Sequence, residues 1–173
     1  MLPLGTRDPA APVSTEDALG TVGLVRRVTF ALVLLATLAG CVAHPVGPAR
    51  TFGKYEGQAV TTAESALSAV QTVRLVADAA AKGKTLGPYT AILSSEQEDA
   101  LSGVQGTFGS IQPPDAKADR LRATLNAILT PALDHVSAVR IAARRGQLLR
   151  LGAVAAPLKA DALALEAFIA AHP

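Results

Sequence analysis

Apolar residues recur at spacings of three and four through most of the chain after residue 54, which is typical of helices that bury one face. The pattern predicts a first helix from about Tyr55 to Lys82, ending at Gly83. The residues predicted on its buried face are Val60, Ala63, Leu67, Val70, Val73, Ala77 and Ala80. The opposite face carries Ser and Thr, and we interpret it as solvated rather than as a polar groove.

The second helical segment is less regular. Pro88 opens a short turn through Leu93, and Ser95 with Glu98 forms a capping box that predicts a second helix start. The acidic cluster there is explained by the favourable interaction of negative charge with a helix N-terminus. It consists of Glu96, Glu98 and Asp99. The helix then runs towards Ile111, and residues 112–115 break it.

Two further helices complete the pattern. The third spans about Pro114 to Arg145, with Pro131 inside it predicting a kink. After Gly146, apolar residues from Leu148 onward form a heptad-like seam that Pro157 interrupts. The predicted fold is therefore all-α, an antiparallel up-down four-helix bundle over residues 55–173.

The bundle contains a candidate internal duplication. Residues 65–77 align with residues 131–143 without gaps, and six of the thirteen positions are identical, including Arg74 with Arg140. Two duplicated helical hairpins would produce this match. Chance similarity between alanine-rich helices would produce it as well, and the sequence leaves both explanations open.

The N-terminal part has the pattern of an export signal. Arg26 and Arg27 precede an uncharged apolar run of about eleven residues, Val28 to Leu38, which is the length of a signal-peptide core. The run ends in Leu38-Ala39-Gly40-Cys41, which resembles the lipobox of bacterial lipoproteins at all four positions. This resemblance implies a signal peptide over residues 1–40 and a lipid anchor on Cys41.

The flanks of the export signal qualify this interpretation. The apolar stretch to residue 43 is about sixteen residues, shorter than the roughly twenty that a membrane-spanning helix needs. Residues 1–24 carry acidic side chains, unlike a basic leader, so translation starting later, for instance at Val25, is an alternative. Residues 41–54 contain Pro and Gly and predict a flexible tether.

Composition excludes several functions. The net charge of +2 is too small for a general nucleic-acid binder, and a single cysteine permits neither an internal disulfide nor a cysteine metal cluster. His135 lies beside Asp134, but adjacent helical residues point apart; His44 and His172 lie near the ends of the mature chain, where we expect no site. The sequence predicts no catalytic residues, no metal site and no cofactor.

Two groups of basic residues are candidate contacts. The turns after the first and third helices should meet at the end of the bundle remote from the tether, where they place Lys82, Lys84, Arg144 and Arg145, with Arg150 nearby. Cations in the last turn of a helix also stabilise its dipole, which is the alternative explanation. Arg74 and Arg140 are candidate ligands for an anion, although Arg74 is also one helical turn from Asp78.

Together these features predict a cell-envelope lipoprotein, attached to the cell membrane on its extracytoplasmic face. Its predicted function is non-enzymatic binding or scaffolding, with an envelope protein or an anionic wall polymer as partner. The alternative is a carrier of a small apolar or anionic ligand between the helical hairpins. A deep apolar cavity beside Pro131 and Pro157 would favour the carrier, and a solid core with a charged end would favour the scaffold.

Overall fold

The computed structural model describes residues 49–173, and every regular element in this range is helical. Helix α1 spans Phe52–Ala81, α2 spans Gly87–Ser110 and α3 spans Ala116–Arg144. A single 3-10 turn, Leu148–Arg150, leads into the short helix α4, Leu151–Val154, and the chain ends with α5, Leu158–Ala170. The expectations for the signal segment, Cys41, His44 and the tether before residue 49 lie outside the described residues. The all-α prediction is confirmed for the described part.

Helix α1 begins three residues before its predicted start, within the segment assigned to the tether. The Thr51 side chain accepts a hydrogen bond from the Lys54 backbone N–H at 3.4 Å and so caps the helix. Phe52 packs against the core, and the Lys117 ammonium lies 3.6 Å from the centre of its ring. These contacts draw the end of the tether into the folded domain.

Helices α1 and α3 end in the same motif. Gly83 and Gly146 adopt positive φ angles of 67° and 69°, a conformation that costs glycine little because it has no Cβ. In each motif the glycine N–H bonds a carbonyl of the last turn, at 3.0 Å to Ala80 and 3.0 Å to Ala143. The next N–H reaches one residue further back, which completes a Schellman motif. Both predicted turns at glycine are thus confirmed.

The prediction of a second helix start at Ser95 is wrong. Helix α2 runs without interruption from Gly87, and Pro88 lies in its first turn, where its missing N–H removes no helical bond. Ser95 and Glu98 lie in the helix interior, so the capping box is not used and the acidic cluster is not at a helix N-terminus. Glu98 instead bonds side chains of α3. The capping-box pattern gave a wrong prediction because the partner of Glu98 lies on another helix and is not evident from the local sequence.

Asp115 caps α3 through its side chain, which accepts the Ala118 N–H at 2.8 Å, and α3 continues through Pro131.

The C-terminal helix is also divided differently from the prediction. The predicted fourth helix is split into the 3-10 turn, α4 and α5, with Pro157 immediately before α5. Pro157 has no N–H to continue the ladder of α4, so a new helix starts after it.

Helix α1 occupies the centre of the packing, since it contacts α2, α3, α4 and α5. Helix α3 contacts α1, α2, α4 and α5. Alanine supplies much of the buried face of α1, and small side chains allow helix axes to approach closely. At the start of α1, the fully buried rings of Tyr55 and Phe108 lie 5.1 Å apart. Of residues 49–173, no helix is long and apolar enough to cross a membrane.

Candidate functional site

Arg140 takes part in a bridge between α2 and α3. Its Nε and Nη2 both donate to the Glu98 carboxylate, with 3.2 Å from Nη2 to Oε1. Ser137 donates to the same oxygen at 2.8 Å. The Arg140 and Glu98 side chains are each about four-fifths buried, at 21% and 20% exposed. The two-pronged contact fixes the register of the two helices, so Arg140 is occupied by a partner within the protein.

The pKa values of this bridge reflect its partners. Burial alone would raise the pKa of Glu98, but hydrogen bonds from Arg140 and Ser137, with the charges of Arg140 and Arg144, outweigh it and lower the pKa. The hydrogen bond to Glu98 raises the pKa of Arg140 in turn, against the opposing effect of burial. The carboxylate and the guanidinium are therefore both charged at neutral pH.

Arg74 has different surroundings from Arg140. It borders an open groove of about 500 Å³ between α1 and the α4–α5 segment. The residues lining this groove are Gln71, Arg74, Leu75, Asp78, Gly152, Ala155, Ala156 and Lys159. The expected pairing of Arg74 with Asp78 is not made, because Asp78 binds Lys82 at 2.7 Å instead. The structure places Arg74 and Arg140 between different pairs of helices and does not bring them into one site.

The turns after α1 and α3 meet at one end of the domain. A Cβ placed on Gly87 would lie 3.5 Å from the Leu148 side chain, so the start of α2 touches the 3-10 turn. Of the predicted basic residues there, Lys82 is paired with Asp78. Arg144 contacts Ser95 at 3.4 Å and borders a cleft beside Glu96 and Asp99. Lys84, Arg145 and Arg150 are exposed and form no ion pair within residues 49–173.

Large apolar side chains are exposed at the same end, a feature that the sequence analysis missed. Leu149 is 87% exposed, Leu86 is 76% exposed and Tyr89 is 58% exposed. Together with the three free cations they form what we call the end surface: Lys84, Leu86, Tyr89, Arg145, Leu149 and Arg150. The sequence signal for this surface was Leu86 and Leu149. Each lies just after one of the two turns, at a position where the apolar period of the helices requires no apolar residue.

Two histidines make contacts that the sequence analysis did not anticipate. His135 Nδ1 lies 2.7 Å from Asp161 Oδ2, which joins α3 to α5. His172 Nδ1 lies 2.9 Å from Glu56 Oε1, and its ring centre is 4.6 Å from that of Phe168. The sequence analysis expected no site at His172, and the contact shows that this residue joins the end of α5 to the start of α1. Each histidine thus joins two parts of the fold through one carboxylate.

The Ser and Thr face of α1 borders a second open cleft, of about 260 Å³, with Val104 and Ile111 of the α2 segment across it. Its hydroxyls are committed to the helix: Thr62 donates to Gln58 O at 2.8 Å and Ser65 to Thr61 O at 2.9 Å. With their hydrogens used in this way, these side chains present mainly methyl and methylene groups to the cleft.

Arg122 binds the C-terminal end of α2. Its Nη2 donates to the carbonyls of Gly109 and Ile111, the latter at 2.9 Å, which satisfies acceptors at the helix end. Burial raises the pKa of Tyr55, opposed by the charge of Arg122 and reinforced by that of Asp119. Arg122 therefore also keeps a positive charge near a buried phenol.

In the described part of the chain, no group of three or more His, Cys, Asp or Glu side chains is placed to hold a metal ion. Comparison of the sequence and the fold with protein-family models, curated proteins and solved structures finds no match. The end surface and the groove at Arg74 are thus the candidate sites that the geometry itself provides.

Proposed function

We propose that the protein is a lipid-anchored, non-enzymatic binding or scaffolding module of the bacterial cell envelope. The lipobox-like sequence Leu38-Ala39-Gly40-Cys41 supports an anchor on Cys41 in the outer leaflet of the cell membrane, facing away from the cytoplasm. Residues 41–51 then connect the anchor to the start of α1. The helical domain is the part that acts.

We propose that this domain is an antiparallel up-down bundle. Contacts between α2 and α3 run in opposite directions along the two helices, since Gln105 meets Thr130 while Glu98 meets Arg140. The C-terminal His172 meets Glu56 near the start of α1, as an antiparallel α5 requires. Five aligned positions are buried in both segments 65–77 and 131–143, whereas Ala69 is buried and the aligned His135 only partly, and this similarity supports duplicated hairpins.

The end surface is the proposed contact with a partner, and its composition is the observation that carries the proposal. Within residues 49–173, three cations that form no ion pair and three exposed apolar side chains lie on the segments that follow α1 and α3 and in the first turn of α2. Helix α1 has 30 residues and is therefore about 45 Å long, so the turn that follows it lies at the opposite end of this helix from Phe52. A protein partner with acidic side chains around an apolar contact fits this surface. An anionic wall polymer would use the cations and leave the apolar side chains exposed.

In-cell photocrosslinking tests this proposal. A photoreactive residue at Leu149 should yield a protein adduct of discrete mass, whereas the same residue at Thr124, exposed on α3, should not. Combined Lys84→Glu, Arg145→Glu and Arg150→Glu substitutions should abolish the adduct by reversing the charge. A matched triple reversal at Lys54, Lys117 and Arg120 should leave it intact.

The anchor is tested in the same strains. Mass spectrometry should find a lipid-modified N-terminus at Cys41, and Cys41→Ser should remove both the lipid and the adduct. A crosslink to polymer rather than protein would assign the end surface to the cell wall. Absence of any adduct that depends on the three cations would overturn the partner proposal.

A second function, carriage of a small apolar or anionic ligand, is supported by one observation. The groove beside Arg74 contains cationic side chains and reaches Ala155 and Ala156, next to Pro157. Transfer of a labelled ligand between vesicles in the presence of the protein would test it.

A further inference from the structure

The groove between α1 and the α4–α5 segment combines charge with an apolar floor. Gly152, Ala155 and Ala156 form part of its lining, and Leu75 beside them is 73% exposed. Leu75 therefore adds exposed apolar surface to the lining of the groove. The volume of about 500 Å³ lies within the usual range of small-molecule sites.

Two positive charges at this groove lack a carboxylate partner. Arg74 and Lys159 both line it, and neither forms an ion pair with any residue from 49 to 173. Asp78, the acidic residue of the lining, is neutralised by Lys82 at 2.7 Å. The groove therefore carries a net positive charge that an anion would balance.

Arg140 shows how the protein satisfies an arginine at the corresponding position. In the alignment of residues 65–77 with 131–143, Arg74 matches Arg140, and both lie on helix faces beside a neighbouring helix. The Glu98 carboxylate of α2 binds Arg140 through two nitrogens. Beside Arg74 the neighbouring segment presents Gly152, Ala155 and Ala156 instead, so the position of a carboxylate is open.

We propose that this groove binds a small amphiphile with one oxyanionic head group. Arg74 and Lys159 hold the oxyanion, as Glu98 is held by Arg140, and the short apolar body lies along Ala155, Ala156 and Leu75. A carboxylate and a phosphate monoester share this chemistry. The inference specifies the ligand class of the proposed carrier, and it is independent of the partner at the end surface.

Calorimetric titration of the full chain in nanodiscs tests the site, with empty nanodiscs as the blank. The probes are hexanoate, hexyl phosphate and neutral hexanol. Hexanoate or hexyl phosphate should bind and hexanol should not, and Arg74→Gln should weaken binding about tenfold or more through the loss of charged hydrogen bonds. The ratio of the two anion affinities decides between carboxylate and phosphate.

Two further variants separate site occupancy from general charge. Gly152→Leu places a larger side chain on the groove lining and should weaken or abolish binding; the Cβ at this position would meet the Ala81 Cβ at 3.7 Å, an ordinary contact. Ala156→Leu changes an exposed position of the same lining and replaces Gly152→Leu in the experiment if that variant does not fold. Arg120→Gln, an exposed arginine of α3, is the matched charge control and should leave the affinities unchanged.

Equal binding of hexanol, no binding of either anion, or equal loss in Arg74→Gln and Arg120→Gln would overturn the site. Specific anion binding without transfer between vesicles would leave the site established and remove only the carrier function.

Discussion

Arg74 and Arg140 match in the internal alignment, but their surroundings give them different roles. Arg140 is bound by Glu98 and Ser137 and joins α2 to α3. Arg74 lines a groove, and no carboxylate in the described part of the chain forms an ion pair with Arg74. At the scale of the residue, the difference lies in the neighbouring helix and not in the arginine. A guanidinium held by an internal carboxylate stabilises the fold, and one without such a partner can bind an external anion.

Replacing Glu98 with Gln tests the bridge. The variant should lose about 1–2 kcal/mol of unfolding free energy at neutral pH, since hydrogen bonds to a charged group are replaced by weaker ones. Because the folded-state pKa of Glu98 is below its ordinary value of 4.5, this contribution is fully present above that value and is lost as the pH falls through the folded pKa. Urea unfolding at a series of pH values measures the difference.

The wild type and the Glu98→Gln variant should therefore converge in stability as the medium becomes acidic. Glu96→Gln, exposed and two residues away on the same helix, is the matched control and should stay within about 0.5 kcal/mol of the wild type. A constant difference between Glu98→Gln and the wild type at every pH would contradict the assigned bridge.

At the scale of the element, glycine has opposite effects at the ends of helices and in their interiors. Gly83 and Gly146 end α1 and α3 with positive φ angles of 67° and 69°. Gly103, Gly106 and Gly109 lie inside α2, where a Cβ would meet nothing within 4 Å. The first pair is required by backbone geometry, whereas the three interior glycines of α2 lower its intrinsic helix propensity although no neighbouring atom excludes a Cβ there.

Alanine substitutions separate these two roles. Gly83→Ala and Gly146→Ala should each lower the unfolding free energy by about 1–2 kcal/mol, because a Cβ is strained at positive φ. Gly103→Ala should raise it by about 0.5–1 kcal/mol, since alanine loses less backbone entropy in a helix. Thermal denaturation followed by circular dichroism reports both signs, and the same sign for all three variants would refute the assignment.

At the scale of the whole molecule, the packing converges on α1. Among the helices of residues 49–173, α1 contacts all the others, and α3 adds contacts with α2, α4 and α5. Side-chain pairs also join separate helices, with His172 after α5 at Glu56 of α1 and Asp161 of α5 at His135 of α3. Removing part of the α1 core should therefore weaken all the helices together rather than one of them.

Val73→Ala tests this cooperativity, since Val73 is fully buried in α1. The loss of two buried methyl groups should cost about 1.5–3 kcal/mol, and hydrogen exchange should accelerate in α2, α3 and α5 alike. Leu75→Ala, two residues away and largely exposed, should change the stability by less than about 0.5 kcal/mol. Faster exchange confined to α1 would show that the helices unfold separately.

Several features of the fold were predictable because they depend on short stretches of chain. The period of apolar residues identified α1 and α3 to within a few residues, and Gly83 and Gly146 marked their ends. Five of the seven residues predicted on the buried face of α1 are buried, and Val60 and Leu67 are partly buried. The apolar period missed six further buried residues: Tyr55, Ala59, Thr62, Ala66, Ala69 and Val76. The second helix start at Ser95 was wrong because a capping box is a local signal that a continuous helix with tertiary contacts overrides.

What the sequence determined by itself is the helical class, the glycine turns and the lipobox-like pattern, all of which arise from interactions within about one helical turn or from a linear motif. The tertiary structure decided which charges are satisfied between helices: Glu98 with Arg140, and Asp161 with His135. It also brought two turns together at the end surface. The pairs between helices depend on their register and rotation, which the packing of the whole core sets, and no spacing along the chain encodes them.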